Sequence, residues 1–371
     1  MTDFKKMAVP GVQKLNPYIP GKPISELERE LGINNIIKLA SNENPLGPSP
    51  KAMQAIQNEM SELALYPDGN GFALKKALAK KHDIEMDCIT LGNGSNDVLV
   101  LLAEAFLTPE YSAIYSQYSF AVYPIAVQAV GAKHQMIDAT SWDADMPLGC
   151  DLPAMKAAIN DSTRLIFIAN PNNPTGSFIG KEQLYQFIQQ VPENVIVVLD
   201  EAYLEYAPED QRVDGSLWLN EFKNLVITRT FSKAYGLAGF RVGYALSNPD
   251  IANIINRIRQ PFNVNSLALA AAEAAINDDE FLMRSMQVNA TGMAMLEEQC
   301  KALDLRYVPS KGNFLLVDFG QDAMPIYQKM LELGVITRPV ANYGLPDCLR
   351  ITIGSEPEMQ RMVAVMDQVC G

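Results

Sequence analysis

Apolar and polar positions follow two rhythms along this chain. Short apolar runs of strand length stand at 36–41, 89–91, 113–116, 133–137, 164–169, 195–200 and 225–230. Between several of them apolar positions recur at helical spacing, over 50–62, 72–82, 117–130 and 181–190. Within 72–82, for example, Ala73, Leu74, Ala77 and Leu78 fall on one face. Strands alternating with helices predict an α/β fold, with a mostly parallel sheet covered on both faces.

The pattern changes after Pro261. The run SLALAAAEAAI opens a long Ala- and Met-rich helical stretch through Lys301, its alanines reading as a close helix-packing face. Strand patterns follow at 312–319, 335–339 and 349–354, with a helix over 324–333. This predicts a smaller α+β domain over 261–371 beside a large domain over 33–260. Residues 1–32 read as an arm, extended through Pro10, Pro17, Pro20 and Pro23. A Ser25–Glu28 capping box then opens a short helix that Gly32 stops. Tyr18 and Ile19 give the arm apolar side chains suited to docking on its own body or on a partner subunit.

Composition narrows the function. The 371 residues carry a formal net charge of -13, which disfavours bulk attraction to nucleic acid or to an anionic membrane. Anionic substrates must then be held by local arginines and backbone amides. The five cysteines, Cys88, Cys150, Cys300, Cys348 and Cys370, are dispersed without a CxxC pair. That pattern, with no apolar signal core in the first residues and no membrane-length apolar run, predicts a cytoplasmic protein. The two histidines, His82 and His134, have no metal-spaced partner, so no metal site, zinc hydrolase or Ser-His-Asp chemistry is expected.

The candidate chemistry lies where strands end. Asn170, Asp200 and Thr230 close three predicted strands, where open α/β sheets bind ligands. GNGSND at 92–97 joins a strand to a helix start, so the first amides of that helix, at Ser95 and Asn96, face an anion unpaired. A dinucleotide fingerprint fits less well, because Asp97 stands where its third glycine should fall. The stretch TRTFSKAYGLAGFRVGY at 228–244 sets Lys233 among hydroxyls and glycines. A lysine that condenses with a cofactor aldehyde needs partial desolvation, so that its neutral amine is accessible. Thr230, Ser232 and Arg241 can hold a phosphate beside it.

Four pieces in this order resemble one family: ANPNNPTG (169–176), LDEAYLEY (199–206), RTFSKAYGLAGFRVGY (229–244) and LRITIG (349–354). The chain resembles the fold-type I pyridoxal-phosphate aminotransferases, and within them the histidinol-phosphate aminotransferase family. The resemblance implies pyridoxal 5'-phosphate as cofactor, with Lys233 as its covalent anchor and proton carrier. Asp200 would face the pyridine nitrogen, Asn170 and Tyr203 the ring oxygen, and Tyr118 the ring face. Ser95, Asn96, Thr230, Ser232 and Arg241 would hold the phosphate, joined by Tyr66 from a partner subunit, which implies a homodimer with shared sites. Arg350 would grip the substrate carboxylate, with Tyr18, Asn44 and Arg338 as further substrate contacts.

The implied reaction passes an amino group from glutamate to a phosphorylated keto acceptor, giving histidinol phosphate. An aromatic amino acid aminotransferase, or a decarboxylase of a phosphorylated amino acid, would share these parts. A catalytically silent cofactor-binding protein should have lost Lys233 or Asp200, and both are present.

Overall fold

The computed structural model describes residues 2–18 and 20–370. Ile19, expected in the docking patch of the arm, lies outside the described residues.

Seven strands build the main sheet: β1 (Ile89–Gly92), β2 (Ser112–Ser116), β3 (Lys133–Ile137), β4 (Thr163–Ala169), β5 (Ile196–Asp200), β6 (Leu225–Thr230) and β7 (Gly243–Ser247). Their order across the sheet is β1-β7-β6-β5-β4-β2-β3. Strands β2 to β6 run parallel, and β7 is antiparallel to both its neighbours. The central strands are mainly apolar because both faces are covered. Ile166, Ile168, Val197 and Leu199 enter one core, while Leu165, Phe167, Ile196 and Val198 enter the other.

A second sheet holds β8 (Arg306–Val308), β9 (Phe314–Asp318), β10 (Arg338–Val340) and β11 (Leu345–Thr352), in the order β10-β11-β9-β8, antiparallel throughout. Its core is separate and includes Leu315, Val317, Leu349 and Ile351. The α/β large sheet with a smaller α+β unit therefore stands as expected.

Several boundaries differ. The expected strand at 36–41 shrinks to Ile37–Lys38, which pairs in parallel with Val335–Ile336. Leu39 and Ala40 consequently pack in the small unit's core, although they follow the arm in sequence. The expected strand at 335–339 splits between that pair and β10. Conversely, the alanine-rich helix Ser266–Ile276 buries Ala268, Ala271, Ala272 and Ala275 in the large core, against helix Pro50–Glu59. Alanines let the two helix backbones approach closely, so composition placed this helix in the wrong unit. The arm contains helical turns at Phe4–Met7 and Pro10–Gln13 rather than extended chain. Helix Ile24–Leu31 ends on left-handed Gly32, as expected, but starts at Pro23 with no side-chain cap, so the Ser25–Glu28 box does not form. The helix expected over 117–130 begins only at Val122.

Candidate active site

The carboxyl ends of β5 and β6 open onto a cavity of about 220 Å³ between the two sheets. Lys233, Asp200, Tyr203, Ser95, Asn96, Thr230, Ser232, Arg241, Arg350, Arg338 and Tyr18 all line it. Residues from both ends of the chain thus converge on one space.

Lys233 lies in the loop after β6. Its Nζ donates to the Ser41 carbonyl at 3.1 Å and sits 5.7 Å from the centre of the Tyr203 ring. Burial, followed by the positive charge of Arg350, pulls its pKa down to about 7. The amine is therefore available in its neutral, nucleophilic form near neutrality.

Asp200 ends β5 and is buried. Its Oδ2 accepts from the Tyr123 hydroxyl at 2.8 Å, while its buried Oδ1 has no protein partner. Burial raises its pKa, and the bond from Tyr123 offsets part of that rise. A cationic N–H placed against Oδ1 would satisfy the orphaned oxygen and hold the carboxylate ionised.

The phosphate cradle is closely built. Helix Ser95–Phe106 directs its first amides at the cavity, and its N-cap Gly94 has φ 81°. A Cβ on Gly94 would lie 2.5 Å from the Arg241 guanidinium, and one on Gly243 would lie 2.3 Å from the Ser95 nitrogen. Glycine at both positions lets the backbone approach this closely. Arg241 Nη1 donates to Ser232 Oγ at 3.2 Å, and the Ser232 amide donates to Thr230 Oγ1 at 3.1 Å. Open helix amides, two hydroxyls and a guanidinium suit a phosphate dianion.

On the other wall Arg350, in β11, is buried. Its Nη1 donates to Asn173 Oδ1 at 2.6 Å and its Nη2 to the Ala40 carbonyl at 2.8 Å. Tyr203 is buried, and its hydroxyl accepts from Asn42 Nδ2 at 2.9 Å. Tyr18 stands at the rim with the Arg338 guanidinium 5.7 Å over its ring.

Three expected positions need correction. Asn170 spends both ends of its amide on the Ile179 backbone, at 3.0 and 2.8 Å, and Asn173 lines the cavity instead. Asn44 donates to the Ala234 carbonyl and to Ser285 Oγ, both at 2.8 Å, and accepts from the Leu46 amide, so it shapes its own loop. Asn42 is the one that lines the cavity. Tyr118 packs against the small cluster of Leu148, Val308 and Leu316, whereas Phe120 lines the cavity. Tyr66 is outside the cavity of its own subunit, 83% exposed and stacked on Phe262 with ring centres 4.8 Å apart. Asn173, Phe120 and Asn42 each sit two or three residues from the expected position in the same loop.

Both histidines serve structure. His82 Nε2 bonds the Tyr244 hydroxyl at 3.0 Å, and His134 Nδ1 bonds the Tyr115 hydroxyl at 2.9 Å. Burial drives the pKa of His82 down to about 3. Among the described residues no cluster of histidine, cysteine or acidic side chains could hold a metal ion.

An orphaned carboxylate oxygen, a phosphate cradle and a lysine of lowered pKa around one cavity fit pyridoxal phosphate. Known proteins agree. The chain is 56% identical over 369 residues to histidinol-phosphate aminotransferase 2 of Pseudomonas fluorescens, covering 99% of this chain and 98% of that one. It is 55% identical over 371 residues to the protein of the same name in Pseudomonas aeruginosa, covering 100% and 99%. The crystal structure of histidinol-phosphate aminotransferase from Sinorhizobium meliloti in complex with pyridoxal-5'-phosphate superposes with a TM-score of 0.87 at 30% identity, covering 97% of this chain and 96% of that one. A Thermus thermophilus aspartate aminotransferase, at 20% identity and a TM-score of 0.83 over 97% and 99%, shares the fold. The pattern described as aminotransferase class I and II matches residues 34–366, and the chain belongs to that family.

Proposed function

We propose that this protein is a pyridoxal-phosphate-dependent histidinol-phosphate aminotransferase with glutamate as its amino donor, serving histidine biosynthesis. The observation that carries the reading is the single cavity lined by Lys233, by Asp200 with its unpartnered Oδ1, and by the cradle of Ser95, Asn96, Thr230, Ser232 and Arg241. The substrate follows from the name shared by relatives at 55–56% identity over nearly the whole chain.

Bound pyridoxal phosphate supplies an electron sink for negative charge at the α-carbon of the amino acid. The cradle fixes its phosphate. Asp200, through its unpartnered Oδ1, would hold the ring nitrogen protonated and so keep the sink effective. Lys233, anchored by the Ser41 carbonyl, carries the proton to and from the α-carbon. Arg350 would orient the α-carboxylate of glutamate, and Arg338 and Tyr18, which line the same cavity, would meet the far end of the substrate.

The same reading makes the protein a cytoplasmic homodimer. Unpaired cysteines and the absence of a membrane-length apolar helix among the described residues agree with that compartment. Exposed Tyr66, Leu65, Leu63 and Phe262 offer an apolar surface for a second copy.

The test is a half-reaction screen. The cofactor-loaded protein, mixed with glutamate, histidinol phosphate or phenylalanine, should lose its visible band fastest with histidinol phosphate at limiting concentration. Equal or faster reaction with phenylalanine would overturn the substrate assignment.

A further inference from the structure

Asn42 lies in the loop between Lys38 and the helix that starts at Pro50, and has no place in the roles described so far. It is buried and holds a left-handed backbone, φ 54°. All its polar groups are engaged. Its backbone amide donates to Thr352 Oγ1 at 3.0 Å, and its carbonyl accepts from Asn313 Nδ2 at 3.1 Å. The Thr352 hydroxyl donates in turn to Asn42 Oδ1 at 2.9 Å. Asn42 Nδ2 donates to the Tyr203 hydroxyl oxygen at 2.9 Å.

These bonds fix a direction. Thr352 Oγ1 already accepts from the Asn42 amide, so its single hydrogen goes to Asn42 Oδ1. That orients the carboxamide with its NH₂ toward Tyr203. An NH₂ group can only donate, so the Tyr203 hydrogen must point elsewhere, and the cavity lies on that side. Burial pushes the Tyr203 pKa up to about 12; Arg350 lowers it, while Asp200 and Tyr343 raise it. The Lys233 amine also faces the ring. Tyr203 is thus a neutral donor at working pH. Thr352 sits two residues after Arg350 on β11, and Arg350 holds the Ala40 carbonyl, two residues before Asn42. One strand therefore sets both the carboxylate clamp and the tyrosine donor.

We propose that Asn42 and Thr352 are positioning residues that aim the Tyr203 hydroxyl hydrogen at the ring oxygen of bound pyridoxal phosphate; this rests on the cofactor reading above. A hydrogen bond donated to that oxygen favours its anionic form and lowers the pH at which the bound chromophore titrates. Losing the aim raises that midpoint.

The experiment is a pH titration of the visible absorbance of the cofactor-loaded protein. Thr352→Val removes the hydroxyl at nearly constant volume. Asn42→Gly removes the carboxamide and tolerates the left-handed backbone. Both should move the midpoint upward, toward the Tyr203→Phe value, by roughly half a unit to one unit, the size of one neutral hydrogen bond. Thr352→Ser, which keeps the hydroxyl, should titrate as the parent does. Unmoved midpoints in Thr352→Val and Asn42→Gly, beside a shifted Tyr203→Phe, would overturn the inference. So would a Thr352→Ser shift as large as that of Thr352→Val. A parent protein that gains no visible band with pyridoxal phosphate would instead overturn the cofactor reading itself.

Discussion

Arg350 donates to the side-chain oxygen of Asn173 at 2.6 Å, tying the last strand of the small sheet to the loop after β4. Its Nε is buried without a partner. The guanidinium is thus held in one plane with donor capacity to spare, as a carboxylate clamp requires. Lysine in its place offers a point charge and cannot reproduce the fork. Arg350→Lys is expected to weaken glutamate binding by about tenfold to a hundredfold, the worth of a charge-assisted bond of ~1.5–3 kcal/mol. The spectrum of the resting, cofactor-loaded protein should stay as it is. Single-turnover rates against glutamate concentration measure this, and unaltered saturation would move the carboxylate site toward Arg338.

Lys233 should govern cofactor loading. Its pKa is lowered to about 7 from an ordinary 10.5, so the neutral amine dominates above about 7. The loading rate with pyridoxal phosphate should climb with pH through about 7 and then level off. Borohydride treatment should fix the label on Lys233. An inflection near the ordinary lysine value would show a solvated amine. The linkage has a second consequence for the cofactor-free protein. Between about 7 and 10.5 the unfolded chain holds this proton and the folded chain does not. Stability contributed by this group therefore rises with pH across that window.

Asp200→Asn keeps the shape of the side chain and removes its charge. The Tyr123 hydroxyl can still bond to it, but a protonated ring nitrogen loses its ionic partner. Cofactor affinity should fall by about tenfold to a hundredfold, again the worth of one charge-assisted bond. Equilibrium titration with pyridoxal phosphate checks it, and parental affinity would show that Asp200 does not meet the ring nitrogen.

Behind the site, Arg229 donates to Glu201 from Nε at 2.9 Å and from Nη2 at 2.7 Å, and also reaches Asp214 at 2.5 Å. Glu201 completes its bonding by accepting from the Gly215 amide at 2.7 Å. These residues flank Asp200 and Thr230 in sequence, so the pair stiffens the two strand ends that carry the site. Arg229→Met leaves Glu201 buried without its ionic partner, a cost of about 3–5 kcal/mol. Adding Glu201→Met should recover much of that loss. Urea unfolding of the single and double variants measures both effects, and a double variant no more stable than the single would refute the pairing argument.

What the sequence disclosed follows a physical line. Asp200 was legible because a polar residue closing an otherwise apolar strand has no packing reason to be there, and Thr230 because it ends the next strand at the same edge of the sheet. Lys233 and Arg241 were legible from their hydroxyl and glycine neighbours. Asn170 was mistaken for Asn173, Tyr118 for Phe120 and Asn44 for Asn42 because each pair shares one irregular loop. No periodicity fixes which side chain faces inward there. The Ser266–Ile276 helix went to the wrong unit for a related reason: an alanine face signals close packing without saying against what.

Tyr66 gives the last prediction. In its own subunit it is 83% exposed and outside the cavity, yet it lies in a loop anchored firmly to the body. Arg259 donates to the Gly69 carbonyl at 3.0 Å, and Asp68 accepts from the Phe72 amide at 2.7 Å. A large aromatic held rigidly in solvent, amid exposed Leu63, Leu65, Phe72 and Phe262, is shaped for contact with another molecule. If that molecule is a second copy, Tyr66 reaches the phosphate cradle of its partner, and each site needs one residue from each chain. Two-fold symmetry then makes complementation quantitative. Lys233→Ala and Tyr66→Phe protomers, unfolded and refolded together in equal amounts, should pair at random. Heterodimers carry both lesions in one site and neither in the other, so roughly a quarter of all sites regain the parental composition. Activity should exceed that of either variant refolded alone. Mixtures that merely average the two parents, or a fully active species sedimenting as a monomer, would rule out shared sites and leave Tyr66 as a surface residue.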